Sequence, residues 1–350
     1  AIETAFILDR EQRTPTARER LLLERYCGFG GLKCILNPAR ELADAVHWAK
    51  SDLELFAPTV ELHRLIRENS KNESEYKQLM DSLKQSVLTA FYTPSAVTEA
   101  LTDVLKEHQI IPEKVLEPSA GIGAFVDSVL DNNPKADIMA FEKDLLTGKI
   151  LRHLHPEQKV RIEGFEKIEK PFNDYFDLAI SNIPFGDVAV FDPSYTAMKG
   201  MRALVTRRIH NYFFVKALDT VRDGGLVAFI TSQGVLNAKN NSAARFMMLY
   251  HADLVSAIRL PNNLFTENAN TEVGSDLIIL QKNTQKESLR GDDNLLDTVY
   301  NDENRIPTNN YFLEHPERII HTTAKLDTDP FGKPAMIYTH EDGVEGIAED

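Results

Sequence analysis

Apolar and polar positions change rhythm near residue 114. Ahead of it the rhythm is helical. TARERLLLERY (16–26), ARELADAVHWAKSDLELF (39–56) and PTVELHRLIRENSKNESEYKQLMDSLKQSVL (58–88) set apolar residues three or four apart among mixed charges, which lays them on one helix face. FYTPSAVTEALTDVLKEH (91–108) continues the pattern with Val97, Leu101, Val104 and Leu105 on one side. Thr93 is set to cap that helix and Pro94 to open it. From 114 onward short apolar runs alternate with helical stretches. The expected strands are 114–117, 136–142, 160–164, 176–182, 226–232, 254–261 and 275–282. The expected helices between them are 123–131, 144–154, 210–225 closed by Gly224 and Gly225, and one around 241–250. This alternation predicts an α/β fold, a mostly parallel seven-stranded sheet with helices on both faces. No helix separates the last two strands. They read as a terminal β-hairpin, with one antiparallel strand at or near the edge.

The domain reading follows the same rhythm: an N-terminal helical region (1–90), a sheet-bearing domain (91–283), and a polar, acidic C-terminal extension (284–350) expected as loops and an extended peel-off. Composition excludes several classes without choosing among the rest. Hydrophobic residues make up 43% and charged residues 26%, ordinary globular values. There is no apolar run of membrane-spanning length, nor a visible signal peptide at AIETAFILDR. Cys27 and Cys34 make neither a disulfide framework nor a metal site, so a reduced cytoplasmic protein is expected. The net charge of −14 argues against a surface that binds phosphates everywhere, and a nucleic-acid reading must find its positive charge in one place.

Candidate chemistry lies where ligands of open α/β sheets bind, at the carboxyl ends of the strands. EPSAGIGAF (117–125) reads as strand, glycine turn and helix start, with Gly121 and Gly123 letting the backbone pass close to a ligand. Glu142 ends the next strand, where a carboxylate can accept both hydroxyls of a ribose. Gly164-Phe165-Glu166 follows the third strand, and Asn182-Ile183-Pro184-Phe185 ends the fourth. YCGFGGLKCILNP (26–38) is a glycine-rich stretch with no strand leading into it, and reads as a plain loop. Trp48 is expected to pack among the N-terminal helices.

This order of motifs resembles S-adenosylmethionine-dependent DNA adenine-N6 methyltransferases of the gamma-type circular order. FYTP looks like the motif that precedes the sheet, EPSAGIGAF the first sheet motif, FEKD (141–144) the second and NIPF the catalytic tetrapeptide. The sequence is most similar to the methylase modules of large bacterial helicase–methylase proteins of mobile elements. YCGFGGLKCILNP, SNIPFGD, FITSQGVLN (229–237) and NYFLEHPERI (310–319) carry that likeness, over about 20–320. The resemblance implies a Rossmann-like methyltransferase domain, S-adenosylmethionine as cofactor, and DNA as partner, with a helicase domain of the same longer chain as a second expected partner. It implies cofactor contacts from Tyr92, Thr93, Glu117, Pro118, Ser119, Ala120, Gly121, Gly123, Glu142, Lys143, Phe165 and Asn182. Glu117 would lie near the cofactor's amino group.

The tetrapeptide has a physical logic. The exocyclic amine of adenine is a poor nucleophile because its lone pair is delocalised into the ring. Two acceptors aimed at its hydrogens, the Asn182 side-chain oxygen and the Ile183 carbonyl, favour a tetrahedral nitrogen. Phe185 can stack on an extruded base. The family's commoner pattern has a proline where Ile183 stands; Pro184 still holds Ile183 extended, so its carbonyl keeps its direction. Where the third motif often carries an acidic residue, Gly164 stands here, with Glu166 as the substitute. Lys199, Arg202, Arg207 and Arg208 form a basic patch in a long loop (186–209), expected to close over DNA and to be mobile without it. Competing readings are the same fold acting on RNA, on a guanine amine or on a protein glutamine, and a catalytically silent DNA-binding or scaffold module.

Overall fold

Seven strands form one sheet, and the helices that connect them set its order. The computed structural model describes residues 1–198, 200–266, 272–289, 291–300, 305–329 and 332–350. The strands are β1 (Lys114–Glu117), β2 (Asp137–Phe141), β3 (Lys159–Arg161), β4 (Phe176–Asn182), β5 (Val221–Ser232), β6 (Ala252–Leu260) and β7 (Ser275–Lys282), ordered β3-β2-β1-β4-β5-β7-β6. β7 runs antiparallel between β5 and β6, and the other pairings are parallel. This is the mostly parallel, Rossmann-like α/β sheet with the expected hairpin. The order reverses between β1 and β4, so a crevice opens at the carboxyl ends of those two strands.

The helices up to the sheet are α1 (Ile2–Glu11), α2 (Ala17–Glu24), α3 (Phe56–Glu68), α4 (Glu73–Thr89) and α5 (Ser95–Glu107). Those interleaved with the strands are α6 (Ala124–Asn132), α7 (Leu145–Leu154), α8 (Pro193–Thr196), α9 (Met201–Val205), α10 (Ile209–Thr220), α11 (Gly234–Asn237) and α12 (Ser242–His251). Val97 and Leu101 of α5, Phe125 and Val129 of α6, and Leu151 of α7 bury one face of the sheet with Ile138, Leu178 and Ile230. Phe213 and Phe214 of α10 and Met248 of α12 bury the other with Phe229 and Ile278. The N-terminal helices reach the sheet through α7, whose Leu146, Ile150 and Leu154 join Phe6, Leu8, Leu23 and Leu83. Asp9 of α1 pairs there with Lys149 and His153 of α7.

Several local expectations are corrected. Residues 39–56 form 3-10 turns at Leu42–His47 and Lys50–Leu55, not an α-helix; neither turn buries a residue. Trp48, between them, packs edge-on against Phe56 and donates to the Pro38 carbonyl at 2.9 Å. The pattern over 58–88 splits in two, and Asn72 caps the second helix by accepting the Glu75 N–H. Thr93 does not cap α5; Pro94 stands at that position, and the buried Thr93 hydroxyl makes no hydrogen bond among the described residues. Gly224 and Gly225 do not end α10, which stops at Thr220. They belong to a bulge, where the residue opposite β4 jumps from Val221 to Leu226. A Cβ on Gly225 would lie 2.9–3.1 Å from three backbone carbonyl oxygens, so the bulge requires glycine.

The tail is more ordered than its polarity suggested. Two further antiparallel pairs form, Thr298–Tyr300 with Pro307–Asn309 and Thr323–Thr328 with Pro334–Thr339. Asn309 is fully buried and donates to the Leu236 and Leu295 carbonyls, both at 2.9 Å. A C-terminal helix (Gly343–Glu349) buries Val344 and Ile347 against the α5 face of the sheet. The tail's few apolar residues dock on an existing core instead of building one, and so leave no periodic trace in sequence.

Candidate active site at the sheet switch point

Glu117 is the last residue of β1 and is 1% exposed. Its Oε1 accepts the Ser119 N–H at 3.4 Å, and its Oε2 takes part in no hydrogen bond among the described residues. Burial pushes the carboxyl up to about 8; the Ser181 hydroxyl opposes the rise and Glu142 adds to it. An unpartnered carboxylate oxygen in that position is costly unless something polar completes it. The chain then turns through Pro118, Ser119 and Ala120 to Gly121 and Gly123, both with positive φ, of 56° and 97°. The Gly121 N–H donates to Glu142 Oε2 at 2.9 Å. Glu142 Oε1 accepts the Asp144 N–H at 2.7 Å, and burial followed by the charge of Asp144 pushes this carboxyl up to about 8 as well. Asp144 itself caps α7 and accepts the Ser82 hydroxyl of α4, so it is committed to structure. Lys143, beside it, is exposed and lies 4.0 Å from Glu166.

The segment before α5 ties these pieces together. A Cβ on Gly121 would fall 2.8 Å from the Tyr92 ring, so that ring packs directly against the turn. The Tyr92 hydroxyl meets Thr147 Oγ1 at 3.3 Å, and Tyr26 reaches the same hydroxyl at 3.4 Å. The glycine loop at 28–31, read as a plain loop, backs this arrangement. A Cβ on Gly28 would meet Ala90 and Tyr92, and one on Gly30 would lie 2.3 Å from the Ala90 carbonyl oxygen. Nothing in the sequence links these glycines to Tyr92, because the contact exists only after α4 folds back. One residue away, the Phe91 carbonyl accepts the Asn182 Nδ2–H at 2.9 Å. That bond fixes the amide at the end of β4, and its Oδ1 carries no hydrogen bond among the described residues.

Ile183 is buried in the core, and its N–H donates to the Ile230 carbonyl at 3.0 Å. Among the described residues no backbone N–H is bonded to its own carbonyl. Pro184 and Phe185 are half-buried, and Phe185 meets Phe265 edge-on at 6.2 Å. The fold thus brings Tyr92, Thr93, Glu117, the glycine turn, Glu142 and Asn182 to one end of the sheet.

Two expectations fail on geometry. Phe165 is not available to a ligand ring: it is 1% exposed and packs against Phe141, Tyr212 and Phe213. Beside it the Glu166 carboxylate folds back over Gly164, where an added Cβ would lie 2.2 Å from Oε2 unless that flexible side chain swung away. The basic patch is also mostly spent. Arg202 holds Asp219 through two hydrogen bonds, at 2.6 and 2.9 Å, and the Tyr195 hydroxyl donates to the same carboxylate. Arg208 pairs with Asp187 at 2.8 Å and donates to Asn240 and Asn241. Arg207 is exposed. Lys199 lies outside the described residues. The loop itself is built rather than loose: it contains α8 and α9, and buried Asp192 accepts from Tyr212, Lys216 and Ser194. A groove between α5 and α6, lined by Leu105, Ile110, Ile111 and Val129, lies near the amino-terminal end of β1, away from all these groups.

Known proteins resemble this chain in sequence and in fold. A family model described as N-6 DNA Methylase matches residues 74–337. The chain is 29% identical over 201 residues to the defense against restriction protein B of Escherichia phage P1, covering 56% of this chain and 8% of that protein. It is 25% identical over 173 residues to the type II methyltransferase M.XamI of Xanthomonas campestris pv. amaranthicola, covering 46% of this chain and 33% of that protein. It therefore spans a third or less of the curated relatives it matches. Among solved structures, the type IIG restriction endonuclease BpuSI superposes with a TM-score of 0.46 at 16% identity, over 82% of this chain and 37% of that one.

Proposed function

Because the chain belongs to the N-6 DNA methylase family, we propose that it transfers a methyl group from S-adenosylmethionine to the N6 amine of adenine in DNA, with the base flipped out of the helix. The observation that carries this reading is the Asn182 amide, locked by the Phe91 carbonyl so that Oδ1 is its open acceptor. The residues at the strand ends fit the cofactor. The unpartnered Glu117 Oε2 suits a cationic amine, Glu142 suits ribose hydroxyls, and the turn at Gly121 and Gly123 lets a ligand approach the backbone. Tyr92 and Thr93 would wall the same site. Bound there, S-adenosylmethionine supplies an electrophilic methyl group.

The chain's own residues do the rest by position and electrostatics. Asn182 Oδ1 and the Ile183 carbonyl accept the two amine hydrogens and hold the nitrogen lone pair toward the methyl donor. Phe185, braced by Phe265, offers a face for stacking the extruded base. Ile183 in place of a proline leaves this intact, since its N–H is held by Ile230 and Pro184 follows it. Partnership with a helicase domain of a longer chain rests on sequence resemblance and belongs to the same proposal.

The test is transfer of labelled methyl from S-adenosylmethionine to unmethylated bacterial DNA, followed by nucleoside analysis. N6-methyladenine is expected. Asn182→Ala is expected to lower transfer roughly a hundredfold or more, the scale of losing one aligned catalytic acceptor, while cofactor affinity stays within a few-fold. Label in RNA or protein and none in DNA would move the reading to another planar amine. Cofactor binding with no transfer to any of them would favour a silent module.

A further inference from the structure

The loop after the tetrapeptide carries an exposed apolar row that the proposed chemistry leaves unused. Phe191 is 78% exposed, and Val188, Met198, Met201 and Leu204 are exposed near it in sequence. A phenylalanine this open normally folds down onto apolar neighbours if its backbone lets it. Here the backbone does not. On one side the Val190 N–H donates to the Thr206 carbonyl at 2.8 Å. On the other, Asp192 is 3% exposed and is held by the Tyr212 hydroxyl at 2.6 Å, Lys216 Nζ at 3.2 Å and Ser194. Asp192 has extended backbone, where successive side chains alternate sides. With Val190 packed on the core and Asp192 buried, Phe191 between them is driven outward.

Its place relative to the tetrapeptide gives it a use. Phe191 is six positions after Phe185, so they lie within about 20 Å of each other even if the chain is fully extended. Gly186 turns the chain between them with φ 127°. Charge suits DNA at this spot. Arg207 follows Thr206, the residue that anchors Val190, and is exposed, while the nearby carboxylate of Asp187 is already neutralised by Arg208.

We propose that Phe191 is a wedge that enters the base stack of duplex DNA and fills the gap left when the target adenine flips out. The proposal rests on the methyltransferase reading for its purpose, but its geometry is separate from the tetrapeptide. Flipping costs unstacking and unpairing, and an apolar ring in the vacated step recovers stacking. A pre-mounted ring loses little freedom on insertion, which explains why the loop is anchored on both sides of an exposed residue. Phe191 is thus a positioning residue: it stabilises the open duplex and does not touch the reacting atoms.

The test uses the full chain with Phe191→Ala and Phe191→Trp. Methyl transfer is measured on duplex phage DNA and on the same DNA after heat denaturation, with cofactor affinity measured by calorimetry. Phe191→Ala is expected to lower transfer to duplex by roughly tenfold or more. On denatured DNA, where nothing need be unstacked, it should be within about twofold of wild type. Cofactor affinity should not change, and Phe191→Trp should restore duplex activity. A second measurement needs no catalysis: wild type should bind partly depurinated duplex more tightly than intact duplex, and Phe191→Ala should lose that preference. Equal losses on both DNA forms would mean a merely structural role and overturn the wedge. So would unchanged transfer and binding with an altered oligomeric state, which would make the row a docking face between copies. If wild type methylates nothing yet shows a depurination preference that Phe191→Ala removes, the wedge stands and the methyl-transfer reading falls.

Discussion

The two sides of the proposed site are built on opposite plans. On the proposed cofactor side, the turns after β1 and β2 present residue types that have few other uses: a buried carboxylate with an oxygen unbonded among the described residues, and glycines with positive φ. On the base side, the loop from Gly186 to Arg208 carries residue types with many uses. There the structure spends Arg202 and Arg208 on internal pairs and exposes apolar side chains beside Arg207. Glycine and buried acid thus state a backbone or burial need directly, whereas arginine states only a charge whose partner the fold must supply. The cofactor side should therefore respond to mutation through shape and protonation, and the base side through packing and salt.

The largest effect that would separate the two sides is expected at Gly123. Its φ of 97° already disfavours a side chain, by about 1–2 kcal/mol for a residue forced into left-handed backbone. A Cβ would also meet His155 Nε2 at 2.5 Å and Leu151 Cδ1 at 2.9 Å. His155 is buried and cannot retreat into solvent. Gly123→Ala should weaken S-adenosylmethionine binding by roughly tenfold or more and lower the melting temperature by several degrees, as read by calorimetry and thermal unfolding. Gly186→Ala on the base side is the matched control. Its added Cβ has only Val188 Cγ2 nearby, at 3.9 Å, so backbone strain alone remains. A larger loss of cofactor binding there than at Gly123 would break the contrast.

The same contrast explains what the sequence revealed. The sheet, its mostly parallel character and the hairpin were legible because apolar runs and glycine turns alternate along 114–282. Bounds were less legible. Gly224-Gly225 looks like a helix stop, but the same pair serves a bulge whose need appears only once β4 lies alongside. Phe165 looked like a ring for a ligand because it follows a strand; three aromatic neighbours from distant segments claim it for the core. Arg202 looked free because Asp219 is 17 residues away in sequence. The brace of Gly28, Gly30 and Tyr92 was invisible for the same reason. Local backbone needs are written locally, and partners across the fold are not.

On the base side Arg202 tests the packing claim. Arg202→Ala removes the two bonds to Asp219 and leaves Tyr195 as that carboxylate's remaining side-chain donor. The pair is about a quarter exposed on each side, so solvent screens part of its worth. A loss of about 1–2 kcal/mol in urea unfolding is expected. A stability equal to wild type would mean that the loop does not depend on this pair.

On the cofactor side Glu117 tests the protonation claim. Its folded value, about 8, lies above that of an unfolded carboxyl, so the folded protein binds the proton more tightly. The resulting stability is fully present below the unfolded value and is lost as pH rises through about 8. Glu117→Gln removes the ionisation, so its melting temperature should fall less than that of wild type between about pH 6 and pH 9. Cofactor affinity should move the other way. Wild type should bind S-adenosylmethionine more tightly as pH rises toward about 8 and Glu117 ionises, and the variant should bind weakly throughout. Parallel melting curves would mean that Glu117 ionises normally.

The smallest effect, and the finest division within one patch, concerns Arg207 against Arg202. Both are arginines of the same loop, five residues apart, and by sequence alone both belong to the DNA face. Arg207 is exposed beside the anchor of Phe191, while Arg202 is held by Asp219. A cation that meets a DNA phosphate releases counterions, so its removal lowers the slope of log affinity against log salt by about one unit. An arginine already neutralised by a carboxylate releases none. Arg207→Ala should therefore flatten the slope by that amount and leave urea unfolding unchanged. Arg202→Ala should do the reverse, with a wild-type slope and reduced stability. If both flatten the slope equally, the Asp219 pair opens when DNA binds, and the base side is a charged face that rearranges instead of a rigid mount for an apolar wedge.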